Sequence, residues 1–379
     1  MTELAQRIKE AARRRGFEVV GITSVEPLAG GLEALGAWCE SGFAAGMEYM
    51  TRRPELHANP KDLVPYAASL ITLAVNYYAT APEFQHETRF GRVARYAWGR
   101  DYHDVIRPRL TELAADIAAL ADVPGMRARS FVDAVPLLER AAAVRGGLGF
   151  FGKNTNLLNA RQGSWLFLAE ILVDLELEPD APFKSVSCGT CTRCLAACPT
   201  EAFAGPYKLD SRRCISYLTI ENKGAIPRDL REGLGEWVFG CDVCQEVCPF
   251  NRFAAETAWR ELGPESGTGP RLDLADVLSI GSNAEFNSRF RGTPLLRPKR
   301  RGLLRNAAVV AANIGCTAAV PALQRLIEHD PEPLIREHAL WAMANLDRGL
   351  ARYLADRAMR SDPDTAVRIE ARRVMREDC

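Results

Sequence analysis

Eight of the eleven cysteines lie between Cys188 and Cys248, seven of them in two short-spaced sets with Cys214 between the sets. Crowding of this kind reads as metal ligation and not as a disulfide framework. Cys188, Cys191, Cys194 and Cys198 follow C-x2-C-x2-C-x3-C and run into Pro199. Two-residue gaps let successive thiolates curl around one corner of an iron–sulfur cubane, while the fourth cysteine leaves on a helix and reaches another cubane. The second set, Cys241, Cys244 and Cys248 ahead of Pro249, is one cysteine short, and Cys214 is placed to supply it. The spacing predicts two [4Fe–4S] clusters. Crossed ligation gives Cys188, Cys191, Cys194 and Cys248 to the first, and Cys198, Cys214, Cys241 and Cys244 to the second. Zinc is the alternative for C-x2-C pairs, but eight thiolates with Cys-Pro closing both sets would be unusual for tetrahedral zinc. Cys39, Cys316 and Cys379 have no partner spacing and are assigned no role.

The rest of the chain must position these thiolates. Over residues 1–178, helix-like segments (1–17 and 109–121) alternate with β-branched and apolar runs at 17–25, 69–78, 127–135 and 164–177. Such alternation predicts an α/β domain. Residues 179–255 change texture to cysteines, prolines and short helical pieces, as in a ferredoxin-like domain whose centre is filled by two clusters. Residues 256–379 repeat themselves: Leu304-Arg305-Asn306-Ala307-Ala308 aligns with Ile335-Arg336-Glu337-His338-Ala339 and with Val367-Arg368-Ile369-Glu370-Ala371, at offsets of 31 and 32. Asp330-Pro331 and Asp362-Pro363 each stand six residues before the repeated arginine. A period of about 30 with a turn at Asp-Pro predicts HEAT-like helical repeats. The expected fold class is thus an α+β multidomain chain of these three parts.

Composition narrows the function classes. Lys plus Arg and Asp plus Glu both count 48, so no global field draws the molecule to nucleic acid or to an acidic membrane, and any basic docking surface must be local. No apolar run approaches the roughly 20 residues that span a bilayer. Arg13 and Arg14 brush the twin-arginine export pattern, but Glu18 and then Thr23, Ser24 and Glu26 interrupt the apolar stretch. A cytoplasmic protein with no membrane association is expected.

Clusters specify electron transfer but not its object. Tyr96-Ala97-Trp98-Gly99-Arg100-Asp101-Tyr102-His103, Asp133-Ala134-Val135-Pro136-Leu137-Leu138-Glu139, Gly147-Leu148-Gly149-Phe150-Phe151-Gly152-Lys153-Asn154-Thr155-Asn156 and Cys214-Ile215-Ser216-Tyr217-Leu218-Thr219-Ile220-Glu221 resemble the epoxyqueuosine reductase family. With the cysteine sets and the terminal repeats, the resemblance covers nearly the whole chain in the family's order. It implies a cobalamin-dependent reductase that removes the epoxide oxygen from epoxyqueuosine at the wobble position of tRNA, giving queuosine. Residues 1–178 would then be the cobalamin-binding catalytic domain and residues 256–379 the tRNA-docking domain. Two positions depart from the family: Ala134, where Ser often follows the aspartate, and Ala97. Neither change removes the acid.

The resemblance assigns Asp133 as the acid that protonates the departing oxygen. To do so near neutral pH its carboxyl must be raised, which burial against the corrin and Phe131 or Val135 would achieve. On the residues alone, an aspartate ahead of Pro136 and an Ala/Leu/Glu run is equally a helix N-cap. The glycine-rich turn over residues 146–152 leads into Lys153, Asn154, Thr155 and Asn156, donors suited to corrin amides or the nucleotide tail. His57, Tyr96, Ala97 and Ser216 are carried over as cofactor contacts. No D-x-H-x-x-G signature is present, so cobalt is expected to have no histidine from the protein, and His103 a hydrogen-bonding role.

Arg297, Lys299, Arg300 and Arg301 with Arg305 form the densest positive charge, and Lys223 follows the Cys214 segment. With an anticodon arm implied as substrate, these residues are expected to face phosphates; the alternative is a solvated linker. An electron donor is the other expected partner, and the chain is expected to be a monomer. A dehalogenase-like reductase of a small molecule would need neither repeats nor a basic run. A ferredoxin-like electron carrier would not need Asp133 or the residue 153–156 segment.

Overall fold

In the computed structural model, residues 2–82, 87–133, 135–184 and 186–376 are described; Ala134 and Cys379 lie outside them. The chain forms two units, each assembled from segments distant in sequence. The first comprises residues 1–80, 99–212 and 242–266, the second residues 81–98, 213–241 and 267–379. Cys214 and Cys241 fall in the second unit and the other six cysteines of the crowded region in the first.

The first unit is built on a four-stranded sheet in the order Val19–Ser24, Ser69–Asn76, Leu166–Val173, Ala128–Phe131. Helix and strand alternate along the chain as the sequence predicts, yet every pairing in this sheet is antiparallel. The two central strands are rich in Leu, Ile and Val because both faces are covered. Phe167 stacks on Tyr102 of the Tyr102–Ala121 helix at 4.3 Å between ring centres. Its neighbours Leu166 and Leu168 point the other way, to Ala143 of the Glu139–Arg145 helix and to Leu148 and Leu157.

The edge strand is shorter than the 127–135 run suggests. It pairs only from Ala128↔Val173 to Phe131↔Glu170, so the described ladder stops halfway along the central strand. Beyond it the chain swings out through Asp133, whose φ of 46° is left-handed. A cavity opens on the flank of Leu166, Phe167 and Leu168 left by that departure.

The residue 150–158 hairpin, which carries Lys153 to Asn156, packs close to the end of the Glu139–Arg145 helix. A Cβ on Gly149 would stand 2.2 Å from the Leu158 carbonyl oxygen, so only glycine lets the two arms of the hairpin meet here.

The second unit has a three-stranded sheet of Trp237–Phe239, Phe90–Val93 and Arg271–Asp273, followed by five long helices between Lys299 and Arg376. The repeated arginines have a repeated task. Arg336 donates to the Asp330 and Pro331 carbonyls at 2.7 and 3.2 Å, and Arg368 to the Asp362 and Pro363 carbonyls at 2.6 and 2.9 Å. Each closes the Asp-Pro turn before its own helix, where carbonyls would otherwise lack partners. The aspartate carboxylates then accept from earlier helices, Asp330 from Arg300 and Asp362 from Arg336. No helix among the described residues is long and apolar enough to cross a membrane.

Candidate active site and cluster ligands

The cavity beside Asp133 has a volume of about 210 Å³. Its lining is mixed: Tyr77, Leu157, Leu166, Phe167 and Leu168 are aromatic or aliphatic, Asn156, Ser164 and Gln245 are polar, and Asp133, Glu139 and Arg140 are charged. Asp133 accepts a 2.5 Å hydrogen bond from the Tyr102 hydroxyl. The Tyr102 ring is held between Phe167 and His103, at 4.3 and 4.1 Å. His103 in turn is fixed through Nδ1, 2.7 Å from Asp101, and its Nε2 lies 4.0 Å from Asp133. Asp101 caps the helix by accepting from the His103 N–H. Burial alone would raise the Asp101 carboxyl, but its bonds to His103 hold it below its ordinary value.

Two expectations for Asp133 are corrected. Its side chain is 63% exposed and does not lie buried against Phe131 or Val135, because the left-handed turn carries it away from the strand end. Nor is it a helix cap: the next helix begins at Glu139, and its N-cap residue Leu138 makes no side-chain cap bond. The bond runs in reverse, with the Asp133 N–H donating to Glu139 Oε1 at 3.0 Å.

Behind it are two more acids, Glu139 half-buried and Glu170 buried. Burial first, and then the charge of Asp133, push Glu139 up to about 7. Glu170, in the middle of the central strand, is fully buried, and burial first and repulsion from Glu139 second hold it well above the carboxylate range. Sequence reading passed over both, whereas the hydrogen-bonding role expected of His103 is met by Asp101. One signal was available for Glu170: it is the single charge in the strand Leu-Phe-Leu-Ala-Glu-Ile-Leu-Val.

A second cavity in the first unit is ringed by Cys188, Cys191, Cys194 and Cys248, with Lys153, Asn154 and Pro249. Residues 54 to 60 positions apart along the chain are brought together here. Among the described residues no three Cys, His, Asp or Glu side chains converge on a point that could hold a single ion; the four thiols surround a space instead. Burial pushes the Cys194 and Cys248 thiols up, so they lose their protons readily only when a metal supplies compensating charge. Lys153 braces the loop: its N–H points to Cys188 Sγ at 3.4 Å, and its ammonium donates to the Gly189 and Cys191 carbonyls at 2.7 and 2.9 Å. Asn154 donates to the Cys244 carbonyl at 3.2 Å. Cys198 Sγ accepts from the Ala202 N–H at 3.3 Å. Cys39 and Cys316 are free thiols elsewhere.

Of the four residues from Lys153 to Asn156, only Asn156 lines the Asp133 cavity. Thr155 reaches it indirectly, its carbonyl accepting from Arg140 at 2.5 Å. His57 is buried in the first unit, with Nε2 3.1 Å from the Tyr49 carbonyl. Tyr96, Ala97 and Ser216 belong to the second unit. There Tyr96 packs on Phe239, and Ala97 is fully buried.

The basic run divides. Arg300 is buried, donating to the Ile280 carbonyl and paired with Asp330. Arg305 is fully buried, and burial lowers its guanidinium to about 9; it donates to the carbonyls of Leu218, Asn222 and Gly224 at 2.5, 2.8 and 2.6 Å. These two are corrected from phosphate ligands to internal braces, since their donors are consumed within the unit. Lys223, Arg297 and Lys299 are exposed and Arg301 is half-buried. Arg297 also pairs with Glu221 at 2.8 Å.

Residues 57–134 match the family described as "Epoxyqueuosine reductase QueG, DUF1730", and residues 187–251 match a "4Fe-4S double cluster binding domain". The chain is 44% identical to an epoxyqueuosine reductase of Pseudomonas aeruginosa over 352 residues, covering 90% of this chain and 94% of that one. It is 37% identical to that of Escherichia coli over 351 residues, 91% and 90% of the two chains. Among solved structures, an epoxyqueuosine reductase with an epoxyqueuosine-modified tyrosine tRNA stem loop aligns over 98% of both chains, at 32% identity and a TM-score of 0.89. With its double-cluster cysteine segment and an identity of this size along nine-tenths of its length, the chain belongs to the epoxyqueuosine reductase family of oxidoreductases.

Proposed function

We propose that this protein reduces epoxyqueuosine to queuosine at the wobble position of tRNA, with Asp133 as proton donor and electrons supplied through two [4Fe–4S] clusters and cobalamin. The observation that carries the proton-donor assignment is the Tyr102–Asp133 hydrogen bond of 2.5 Å between two residues that line one cavity. Removing an epoxide oxygen as water takes two electrons and two protons. An acid that is reachable from solvent and yet oriented by a stacked tyrosine can deliver a proton to one chosen atom.

The ring of Cys188, Cys191, Cys194 and Cys248 supports crossed ligation of the first cluster. Cys198, Cys214, Cys241 and Cys244 are assigned to the second by the same rule. The Asp133 cavity fits part of a corrinoid: its aromatic and aliphatic side chains suit the apolar face of the ring, and Asn156, Ser164 and Gln245 suit its peripheral amides. Its volume admits a face or an edge and not the whole group. Cobalamin, when bound, supplies a metal centre that converts single-electron deliveries into a two-electron reduction. Asn156 would contact it directly and Thr155 would hold Arg140 at the rim. Lys153 and Asn154 serve this reading by fixing the cysteine loop. His57, Tyr96, Ala97 and Ser216 are assigned to the cofactor on the family resemblance.

The helical pairs between Lys299 and Arg376 are assigned as HEAT-like repeats that dock the anticodon arm, with Lys223, Arg297, Lys299 and Arg301 toward its phosphates. The direct test is anaerobic reconstitution followed by addition of cobalamin, a low-potential reductant and tRNA carrying epoxyqueuosine. Queuosine should appear on nucleoside analysis. Protein that binds clusters and cobalamin but yields no queuosine would instead be a reductase of another substrate or an electron carrier.

A further inference from the structure

Two protons are consumed in the proposed reaction, and a single aspartic acid carries one. The structure places two more carboxyl groups directly behind Asp133. Glu139 opens the short helix that follows the Asp133 loop, lines the same cavity, and accepts the Asp133 backbone N–H through Oε1 at 3.0 Å. Glu170 lies beneath it on the central strand, opposite Phe131 on one side and Thr72 on the other. It is 0% exposed, its oxygens meet no hydrogen-bond partner of ordinary geometry among the described residues, and the side chain that acts on it most strongly is the Glu139 carboxyl.

A buried carboxylate that faces only another acid is expensive, so this group keeps its proton. Its surroundings offer little to offset a charge. Thr72, from the neighbouring strand, lies with its hydroxyl 3.5 Å from the Gly21 carbonyl. From the edge strand, Arg129 lies over the Phe131 ring and donates to the Leu63 carbonyl. From the short helix, Arg145 is spent on Thr23 and the Ser24 and Glu26 carbonyls, and Arg140 donates to the Thr155 carbonyl. The long helix presents Tyr102 and the Asp101–His103 pair toward Asp133. The acids that act on Glu170 are Glu139 and Asp133 themselves, and their charge adds to burial in keeping the proton on Glu170.

We propose that Glu170 and Glu139 form a proton store that reloads Asp133, so that the second proton of each turnover comes from inside the protein. This rests on the reading of Asp133 as the acid. In the first transfer Asp133 protonates the epoxide oxygen and is left as carboxylate. The Glu170 proton then passes through Glu139 to Asp133, which delivers it to the same oxygen. Both C–O bonds are broken, the ring carbons become doubly bonded, two electrons are consumed from the reductant, and the oxygen leaves as water. Water recharges the carboxyls after product leaves. The store matters because Asp133 faces solvent only while nothing lies over it; a bound substrate closes that route.

Glu170→Gln keeps the size and removes the proton. In the protein without tRNA or cobalamin, infrared titration should show a protonated-carboxyl band that persists at neutral pH in the parent and is missing in Glu170→Gln. Cluster content and thermal stability should be unchanged or improved, which separates the effect from misfolding. Single-turnover formation of queuosine by pre-reduced, cobalamin-loaded protein should slow by about tenfold or more, toward the range of lost acid catalysis. Its dependence on pH between about 5 and 8 should change shape. Glu139→Gln should slow it similarly while leaving the Glu170 band in place. Parent-like turnover and pH profile in Glu170→Gln, alongside an inactive Asp133→Asn, would overturn the store but keep Asp133 as acid. An active Asp133→Asn would remove the reading on which the store rests.

Discussion

Asp133 is held at both ends, its side chain by the Tyr102 hydroxyl and its backbone N–H by Glu139, and Asn keeps both an acceptor oxygen and the backbone N–H, so its substitution can be read without disturbing the fold. Asp133→Asn should retain both clusters and cobalamin binding, yet lose about 10²- to 10⁴-fold in single-turnover rate. Because no helix starts there, the cap equivalence of Asn and Asp offers no route to retained activity. A near-parent rate would turn attention to Tyr102. Glu139 makes a second prediction, about stability. The folded protein holds its proton up to a pH of about 7, whereas an unfolded chain releases it near 4.5. Between those values the native state binds the additional proton, so the contribution of Glu139 to stability is present below about 4.5 and declines as pH rises through about 7. Glu139→Gln should flatten that decline in chemical denaturation curves taken across this window. An unaltered slope would show that Glu139 is ionised throughout.

At the scale of elements, the two cysteine sets are short helical turns whose thiols are useful only where loops bring them together. Pro199 and Pro249 follow the last cysteine of each set and direct the chain away. The four-thiol ring shows Cys248 meeting Cys188, Cys191 and Cys194, so Cys248→Ala should perturb the first cluster and Cys198→Ala the second. Reconstituted parent protein should hold about eight iron atoms. Saturation at four with all cysteines intact would contradict two clusters. If electron paramagnetic resonance showed Cys198→Ala losing the cluster of Cys188, Cys191 and Cys194, the crossed assignment would be wrong. Lys153 belongs at this scale too: its ammonium ties two carbonyls of the cysteine loop to the hairpin that also carries Asn156.

For the whole molecule, a net charge of zero leaves RNA binding to local surfaces. Neutralising Lys223, Arg297, Lys299 and Arg301 together should weaken tRNA binding and reduce the slope of log affinity against log salt by roughly 0.7 to 0.9 for each phosphate no longer neutralised. An unchanged slope would return the run to a linker. Arg305→Met should behave differently. It strips donors from three carbonyls inside the second unit, at about 1–3 kcal/mol for each buried group left unpaired, and should lower the melting temperature before it touches the salt dependence.

The cysteine spacing, the strands at 17–25 and 69–78, the 109–121 part of the helix that starts at Tyr102 and the recurring Asp-Pro and arginine positions were legible in the sequence because each is a local pattern. Ligand spacing, the two-residue period of a strand and the turn chemistry of proline are written within a few neighbouring residues. Direction and burial are not. Which arginines of the basic run face water, which way Lys153 reaches, and that Asp133 is exposed while Glu170 is enclosed follow from the meeting of residues tens to more than a hundred positions apart. The same holds for the two units, each stitched from three separated segments. Tertiary packing alone sets the local dielectric and the available partners, and these decide whether a charged side chain binds a ligand, braces a turn or keeps a proton.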